Sequence, residues 1–522
     1  MHPSGFDSDS GSGTGASAGA TGSGEDAPAA AAPQAAGAAA TAAPVAAAAA
    51  AGSAAPADAL NAQPVAASGA ASDAASDAAD DAADEPPPEA HEDKPMLRPI
   101  DAYPVDHPSG QKLLALYDPS GIAPGVLTLP PFGAAVIDLF NGERTRPEIC
   151  AEFAARYRRP LPLESLEALL QKLDAALLLD STHFRVHCAK IFAEFAGQSE
   201  RPPQAAGSRY PSDPAEVTKL LSGAFAPPNG PSLTPPKTAD AAAPRTILVP
   251  TVELQSGGPA YAWAFRALLD AKTLPSLIIM MGCDHSAQDP LLTFTRKHYQ
   301  TPLGPLATDQ ELIDAVLSDA AGVSSELAEL LCRDEFHHRA EHSLEYAALW
   351  LRFVIAERKR RGIEEPEPTV VPILVGSLHE LASLPPGKEG AAHNTHAIDH
   401  TLPLLQQRVG ERIAKGAQVL WLGAGDLAHV GPRFGDLEPL SDDDRDSLER
   451  RDQDTLKPVL AGDAPSFLAE IRRERDRRRV MGLGTIYTLL RASCATSGQL
   501  RCYAQCSVGP GSYISTASIV YP

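Results

Sequence analysis

Two sets of residues in the segment QVLWLGAGDLAHVGPRFG, at positions 418–435, have spacings that suit chemistry. Gly423, Gly425 and Ala428 match a dinucleotide-binding turn, in which glycines let the backbone approach a pyrophosphate. Asp426 and His429 match a metal-binding or proton-transfer pair. A dinucleotide turn is followed about twenty residues later by an acid at the end of the next strand, but a charged amphipathic helix follows here. We therefore expect the glycines to turn the backbone so that Asp426 and His429 face a cleft.

A second cluster, DEFHHRAEHSLE at 334–345, contains three histidines and several acids. His338 and His342 are four residues apart, which on a helix places both imidazoles on one face, a geometry that metals use. No Glu follows the first His as it does in an HExxH motif. Histidines that cap a helix or bond to acids explain the cluster equally well, so both interpretations stay open.

Four short apolar runs, TILVP, LIIMMG, VVPILVG and QVLWLG, are separated by helical stretches from residue 245 onward. Runs of this kind are typical of strands buried on both faces of a parallel sheet. We expect helices at 259–271, 309–319 and 342–361. Ligands bind at the carboxyl ends of such strands, and this edge would hold the loops at 251–258, 283–285, 377–379 and 424–429. The placement allows His285, Asp426 and His429 to converge.

Residues 1–94 are Ala, Gly, Ser, Pro and acids, with Phe6 the only aromatic. Such a stretch cannot bury enough apolar area to offset the entropy of ordering it, so we predict a disordered tail. It holds fourteen Asp or Glu against one Lys, and so about −13 of the net charge of −22. The acidic balance of the chain argues against nonspecific nucleic-acid binding.

The start of the chain resembles neither a signal peptide nor a membrane span. It has no Lys or Arg before the Ala-rich run, which Pro44, Gly52 and Pro56 interrupt. The seven cysteines form no CxxC pair, and we expect reduced, mostly buried thiols. We therefore predict a cytoplasmic protein without membrane attachment.

Residues 95–190 are predicted to form a small winged-helix-like α+β module. Two strand-like runs, KLLALYDP and GVLTLP, precede a helix near AAVIDLF, a helix that opens with the capping box Thr145 to Glu148, and a leucine-striped helix, ESLEALLQKLDAALL. Nine basic against eleven acidic residues over 97–185 make DNA reading unlikely as a role. Residues 191–244 read as a connecting segment and Pro-rich linker, and 245–522 as the α/β domain.

This module resembles the PqqD-like, or RiPP recognition element, family in its strand pair, its "DLFNGERTRPEICAEFAARY" turn and helix, and its leucine-rich helix. The resemblance implies that a peptide or partner protein docks along the edge of the strand pair. An inert structural module is the alternative.

The arginine-rich run IRRERDRRR at 471–479 alternates with acids and predicts a solvated helix face. Met481 follows it. A thioether is a metal ligand in some proteins, but core packing is the expected role of this side chain.

Several segments of the larger domain together resemble the MEMO family, also called AmmeMemoRadiSam system protein B. The matching stretches are AGSRYPSDPAEV (206–217), VPTVELQSGGPAYAWAFRAL (249–268), MGCDHSA (281–287), YQTPLGPLATDQEL (299–312), HRAEHSLEYAAL (338–349), VPILVG (371–376), GDLAHVGPRFG (425–435) and CYAQCSVGPGSYISTASIVYP (502–522). The resemblance implies a fold similar to the class III extradiol dioxygenases: a mostly parallel sheet with flanking helices.

The resemblance also implies an iron or copper site, formed by a His in the first strand-end loop, a His after the second strand and a late Cys. Carried over, these positions are Thr251, His285 and Met481, so two of the three donors are missing, and threonine is a poor ligand for such metals. His285, His429 and Asp426 make an alternative two-His, one-carboxylate set.

The predicted pocket residues are therefore Thr251, His285, His342, Asp426, His429 and Met481.

Three functional hypotheses follow. The first is a MEMO-like protein with a degenerate metal pocket that serves as a binding or scaffold component of a peptide- or protein-modification system. The second is an iron- or copper-dependent redox enzyme related to the class III extradiol dioxygenases, with a rearranged ligand set. The third, a nucleotide-dependent enzyme that uses Gly423 and Gly425, has the least support.

Overall fold

A computed structural model of the chain describes residues 93–106, 110–118, 120–123, 125–235, 241–287, 289–384 and 396–522. The predicted tail, 1–94, lies outside the described residues except for Asp93 and Lys94. Within the described ranges, no helix combines the length and the apolar character that crossing a membrane requires.

The N-terminal module, residues 95–190, contains an antiparallel sheet and helices. Its strands are β1 (Asp101–Asp106), β2 (Lys112–Tyr117) and β3 (Val126–Leu129), in the order β1-β2-β3. Its helices are α1 (Pro131–Ile137), α2 (Arg146–Tyr157) and α3 (Leu163–Ala175), and α4 (Thr182–Gly197) leads out of it. The predicted strands are β2 and β3, and β1 is additional. The winged-helix interpretation and the module boundaries stay predictions.

The capping box predicted at the start of α2 is present. The Glu148 carboxylate accepts the backbone N–H of Thr145 at 2.8 Å, and the Thr145 side chain accepts in return from the backbone of Glu148. This reciprocal pair satisfies two amide groups that the first turn of a helix leaves without partners.

The larger part of the chain is built on a mixed eight-stranded sheet. Its strands are β5 (Thr246–Val249), β6 (Leu277–Cys283), β7 (Leu292–Phe294), β9 (Thr369–Val375), β10 (Val419–Ala424), β11 (His429–Val430), β12 (Gln499–Gly509) and β13 (Ser512–Tyr521). A separate parallel pair joins β4 (Glu200–Arg201) to β8 (His298–Tyr299). The order is β11-β13-β5-β10-β6-β9-β7, with β12 also on β13.

The four predicted apolar runs are the parallel strands at the centre, β5, β10, β6 and β9. The α/β prediction is confirmed. β13 and β7 run antiparallel to the central strands beside them, and β11 and β12 pair antiparallel with β13, so the sheet is more mixed than the sequence suggested.

Helices cover both faces of this sheet. They are α5 (Pro214–Gly223), α6 (Leu254–Leu269), α7 (Gln310–Val323), α8 (Ser325–Arg333), α9 (His337–Ala340), α10 (His342–Arg360), α11 (His379–Ser383), α12 (His396–Ala414), α13 (Asp442–Ala461), α14 (Ala464–Arg473) and α15 (Leu483–Ser493). Ile247 and Val249 of β5 pack with α5, α6 and α10, whereas Leu248 packs with α7, α12 and α15. Because successive side chains of a strand point to opposite faces, β5 contributes to a hydrophobic core on each side of the sheet.

Three helix predictions fall close to observed helices. The helix predicted at 259–271 begins earlier, at Leu254. Its first residues, LQSGGPA, lack the apolar spacing by which a helix is recognised in a sequence. The helices predicted at 309–319 and 342–361 correspond to α7 and α10.

The predicted helix face at 471–479 is wrong beyond Arg473, where α14 ends. Arg475, Asp476 and Arg479 adopt left-handed backbone conformations. Arg478 is 3% exposed and pairs with Asp452. Asp476 holds the turn, because its carboxylate accepts the backbone N–H of Val480 at 2.8 Å. The charge alternation therefore marks a structured turn, which leads directly to Met481.

The prediction of mostly buried thiols is also wrong. All seven cysteines are free, as expected, but of these only Cys283 and Cys506 are buried, and Cys494 is exposed.

Candidate functional site

The strand order brings three of the predicted pocket residues to one edge of the sheet. Thr251, Asp426 and His285 follow β5, β10 and β6, which are neighbours in the sheet. The carboxyl ends of parallel strands meet at one edge, which is where α/β proteins bind ligands. The loop that carries His379 does not join them, because this half-exposed imidazole pairs with Asp476 at 2.7 Å.

Thr251 and Asp426 form a buried pair, 3% and 1% exposed. The Thr251 hydroxyl donates to Asp426 Oδ2 at 2.6 Å, and the Thr251 backbone N–H donates to Oδ1 at 3.1 Å. Burial raises the pKa of Asp426, and the hydrogen bonds from Thr251 oppose that effect. Both oxygens of the carboxylate are therefore engaged by one residue.

Glu341 connects the two sides of the site. It is 6% exposed and caps α10, accepting the backbone N–H of Ser343 at 2.8 Å. Its Oε2 also accepts the backbone N–H of His285 at 3.1 Å and lies 2.9 Å from His285 Nδ1. These contacts fix the orientation of the His285 imidazole and direct its Nε2 away from Glu341. The sequence placed Glu341 in a histidine cluster without giving it this role.

His285 and His342 stack face to face, with ring centroids 4.9 Å apart and planes 18° apart. Burial disfavours the imidazolium of His285, but the Glu341 carboxylate outweighs it and raises the pKa of His285 above its usual 6.5. Burial and the charge of Arg209 hold the pKa of His342 well below that value. One cationic and one neutral imidazole thus share Glu341.

His338 does not share a helix face with His342. The helix breaks at Glu341, which is extended, so the two histidines belong to α9 and α10. His338 is fully buried and lies 2.7 Å from the Tyr299 hydroxyl and 2.9 Å from the Thr293 carbonyl. Burial lowers the pKa of His338 to about 3. It is a neutral core residue, and the helix-face metal interpretation is wrong.

His429 and Met481 complete the predicted set. His429 is 5% exposed, its Nδ1 lies 3.3 Å from the Leu427 carbonyl, and burial lowers its pKa to about 3. Met481 is half-buried, and its carbonyl accepts the Cys283 thiol at 3.5 Å. Burial raises the pKa of that thiol, so Cys283 is a protonated group and not a thiolate ligand.

The wall of the site includes residues that the sequence did not assign. The Tyr346 hydroxyl donates to Glu253 Oε2 at 2.8 Å, and Arg209 lies 3.3 Å from Glu253 Oε1. Burial raises the pKa of Glu253, and Arg209 opposes that effect. Arg209 comes from the connecting segment, so the predicted boundary at 245 separates residues that act together.

A buried ion pair anchors this segment. Arg201 and Glu345 are fully buried and paired, and Glu345 also accepts the Tyr210 hydroxyl at 2.6 Å. Arg201 donates in turn to the carbonyls of His338 and Glu341, each at 2.8 Å. No local pattern signals this pair, because Arg201 and Glu345 are 144 positions apart in the sequence.

The glycines of the GxGxxA segment allow close packing. A Cβ on Gly423 would lie 2.6 Å from Leu489 of α15, and one on Gly425 would lie 3.0 Å from the Cα of Gly482. The chain then enters β11, not a helix. A dinucleotide turn needs a helix N-terminus at this point, so the nucleotide interpretation is wrong.

Among the described residues, one group of three potential ligands has its donor atoms within 4.8 Å of one another: His285, Glu341 and His342. The predicted set of His285, Asp426 and His429 does not form such a group there, although the charge of His285 affects the pKa of both partners.

Residues 201–520 match the family model described as Memo-like protein, which is more than half of the chain. The chain belongs to the Memo-like family. A MEMO1 family protein of Aquifex aeolicus is 24% identical over 358 residues, covering 68% of this chain and 80% of its own. A MEMO1 family protein of Methanopyrus kandleri is 24% identical over 62% of this chain and 99% of its own, and one of Thermus thermophilus is 27% identical over 66% and 89%.

The residues at the three positions where the Memo-like resemblance implies metal donors do not fit an iron or copper ion. The Thr251 hydroxyl is a weak ligand for such metals and donates a hydrogen bond to Asp426. Met481 stands in place of a thiolate, and the nearby Cys283 thiol stays protonated. His285 is the one nitrogen donor of the three. The site is a buried cluster of hydrogen-bonded polar side chains.

The His285–Glu341 pair predicts a measurable pH dependence. The pKa of Glu341 lies below its usual 4.5, so its contribution to stability is present above that pH and is lost as the pH falls through the lower value. The pKa of His285 lies above 6.5, so its contribution is complete below that pH and is lost as the pH rises through the higher value. In a histidine NMR titration we expect Glu341→Gln to lower the pKa of His285, while His429 stays neutral in both proteins. An unchanged His285 titration would contradict this pairing.

Proposed function

We propose that this Memo-like chain is a binding or scaffold component of a peptide- or protein-modification system, and not a redox enzyme of the extradiol dioxygenase type. The observation that carries the proposal is the Thr251–Asp426 pair, 2.6 Å between oxygens, at the position of the first implied metal donor. A neutral threonine hydroxyl is a poor ligand for iron or copper, and this one is held against Asp426, a carboxylate that the alternative ligand set would need.

The pocket remains suited to binding. A charged His285–Glu341 pair, two neutral imidazoles and the Glu253–Arg209 pair supply hydrogen-bond donors and acceptors in a buried setting, where such bonds are strong. Peptide ligands offer the matching amide and carboxylate groups. The N-terminal module, with its resemblance to peptide-docking elements, supports a peptide or partner protein as the ligand.

The metal content of the full chain tests the proposal. Purified with iron, copper and zinc supplied, the chain is expected to hold far less than one metal ion per molecule. Thr251→His combined with Met481→Cys restores the implied donor set and is expected to bring the content to one ion. Thr251→Ser combined with Met481→Leu is the matched control, expected to stay empty. A stoichiometric, redox-active ion in the unaltered chain would overturn the proposal.

The second candidate, a metal-dependent enzyme with rearranged ligands, is favoured by the proximity of His285, Glu341 and His342. The same assay separates the two candidates. If this trio holds an ion, His342→Ala and Glu341→Gln abolish the metal content while His429→Ala leaves it unchanged. If the set predicted from the sequence holds it, His429→Ala abolishes the metal content and His342→Ala leaves it unchanged.

Peptide binding is tested separately with the full chain. Fluorescence anisotropy of labelled peptides encoded beside the gene should show saturable binding, and unlabelled peptide of the same sequence should compete. A scrambled peptide of identical composition is the control. The recognition role would be abandoned if no such peptide bound.

A further inference from the structure

The sheet of the N-terminal module has one face that its own helices do not cover. The strand register places Leu114 and Leu129 opposite each other on the face that packs into the module's core. Ala115, Tyr117 and Tyr103 lie on the other face, since Tyr103 pairs with Ala115 and successive side chains alternate between faces.

The part of this outer face that β1 and β2 form is nevertheless covered, whereas Val126 and Thr128 of β3, on the same face, are exposed. Ala115 is 1% exposed, although it points away from the module's core. Along β1, Tyr103 and Val105 are more buried than Ala102 and Pro104, which point the other way. A solvated sheet face would show the reverse pattern. Another part of the chain therefore covers the β1–β2 part of the outer face.

The groups that meet this face belong to the pocket. Burial alone would lower the pKa of Arg209. The charges of Tyr346, Glu253 and Tyr117 have a larger effect, so the pKa of Arg209 is raised. Burial raises the pKa of Tyr103, and Arg433 opposes that effect. Tyr117 therefore lies close enough to Arg209 for their charges to interact, as does Tyr103 to Arg433, and Arg209 contacts Glu253 of the site.

A direct contact holds the module beside the same site. Arg339 Nη1 donates to the Gly121 carbonyl at 3.0 Å, and a Cβ on Gly121 would lie 3.5 Å from that of Ala340. Ala340 immediately precedes Glu341. The loop that carries Gly121 is itself ordered by Asp118, whose carboxylate accepts two backbone N–H groups of the loop at 2.8 and 2.9 Å.

We propose that the ligand pocket is shared between the module and the Memo-like domain, with Tyr103 and Tyr117 as specificity-determining residues of its outer wall, opposite Arg209 and Arg433. The family match begins at residue 201, so this wall is outside the matched region. A ligand that reaches His342 would therefore contact the outer face of the module's sheet as well as the Memo-like domain. The shared pocket deepens the proposed function and rests on that proposal for the nature of the ligand. Its test, however, uses neither a metal nor a peptide.

The test is chemical access to His342 in the full chain. Diethyl pyrocarbonate modifies neutral imidazoles, and His342 is neutral and 15% exposed in its side chain. Tyr103→Ala combined with Tyr117→Ala should open the wall and raise the rate of His342 modification several-fold, measured by peptide mass spectrometry. His183, with a side chain 54% exposed, is the internal reference.

Tyr157→Ala is the matched control, since Tyr157 is a module tyrosine that packs on Phe153 of α2 instead. It should leave the His342 rate unchanged. An unchanged rate in the double variant, or an equal rise in the control, would overturn the proposal.

A second measurement does not depend on removing tyrosines. A Cβ on Gly121 would lie 3.5 Å from the Cβ of Ala340, which suits a disulfide, since about 3.5–4.5 Å is required. Gly121→Cys combined with Ala340→Cys should therefore cross-link on oxidation in the full chain. Absence of the cross-link in folded protein would overturn the docking on which the shared pocket depends.

Discussion

Replacing Glu345 with alanine is expected to lower the free energy of unfolding by about 3–5 kcal/mol, the usual cost of removing one partner of a buried ion pair. Arg201 would keep its charge without solvent, because both side chains are fully buried. The Tyr210 hydroxyl and the backbone N–H groups of Gln204 and Ala205 would also lose their acceptor. Since stabilities of single proteins are commonly only 5–15 kcal/mol, much of the margin would disappear.

Urea unfolding of the full chain, followed by far-UV circular dichroism, measures this effect. Glu364→Ala is the matched control, because Glu364 is exposed just beyond the end of α10 and surface substitutions usually change stability by no more than about 0.5 kcal/mol. Equal stability of the two variants would show that the buried network does not hold the 200–210 segment against α10.

Replacing Gly482 with alanine is expected to destabilise the chain by about 1–3 kcal/mol, the usual cost of overpacking, and to disturb the pocket. A Cβ at this position would lie 2.4 Å from the carbonyl oxygen and 3.0 Å from the nitrogen of Asp426. These are backbone atoms, so no side-chain rotation relieves the clash. The displaced Asp426 backbone would carry its carboxylate away from Thr251.

Gly410→Ala is the contrasting control. Gly410 lies within α12, and nothing is within 4 Å of the position of an added Cβ. Alanine in a helix interior is favoured over glycine by roughly 0.5–1 kcal/mol, so this variant should be slightly more stable than the unaltered chain. Thermal unfolding measures the stability of both variants, Gly482→Ala and Gly410→Ala. Their histidine NMR spectra report whether the pocket is disturbed. If Gly482→Ala changed neither the stability nor the histidine signals, the close packing would be contradicted.

The central strands were predictable because their signal is local. Each of β5, β6, β9 and β10 is a continuous apolar run, and a strand covered on both faces needs apolar side chains in both directions. The same reasoning placed Thr251, His285 and Asp426 just past the strand ends. It missed β1 and the pairing of β12–β13 onto the sheet, since alternation weakened by Pro, Ser and Thr does not show which edge a strand joins.

The histidine cluster was the least predictable part of the site. Spacing placed His338 and His342 on one helix face, but the helix breaks at Glu341 and the two side chains enter different surroundings. One became a core residue bonded to Tyr299, and the other stacks on His285. Spacing along the chain carries this information only while the backbone stays helical.

By itself the sequence determined the α/β class, the family and the strand-end loops, because each depends on residue type or on short-range pattern. Only the tertiary structure decided that Glu341 orients His285, that Arg209 from the connecting segment contacts Glu253, and that Arg201 anchors this segment on Glu345. These contacts join residues that are far apart in the sequence: His285 and Glu341 are 56 positions apart, and Arg201 and Glu345 are 144 apart. Such contacts form where packing and burial bring side chains together, and no local pattern encodes them.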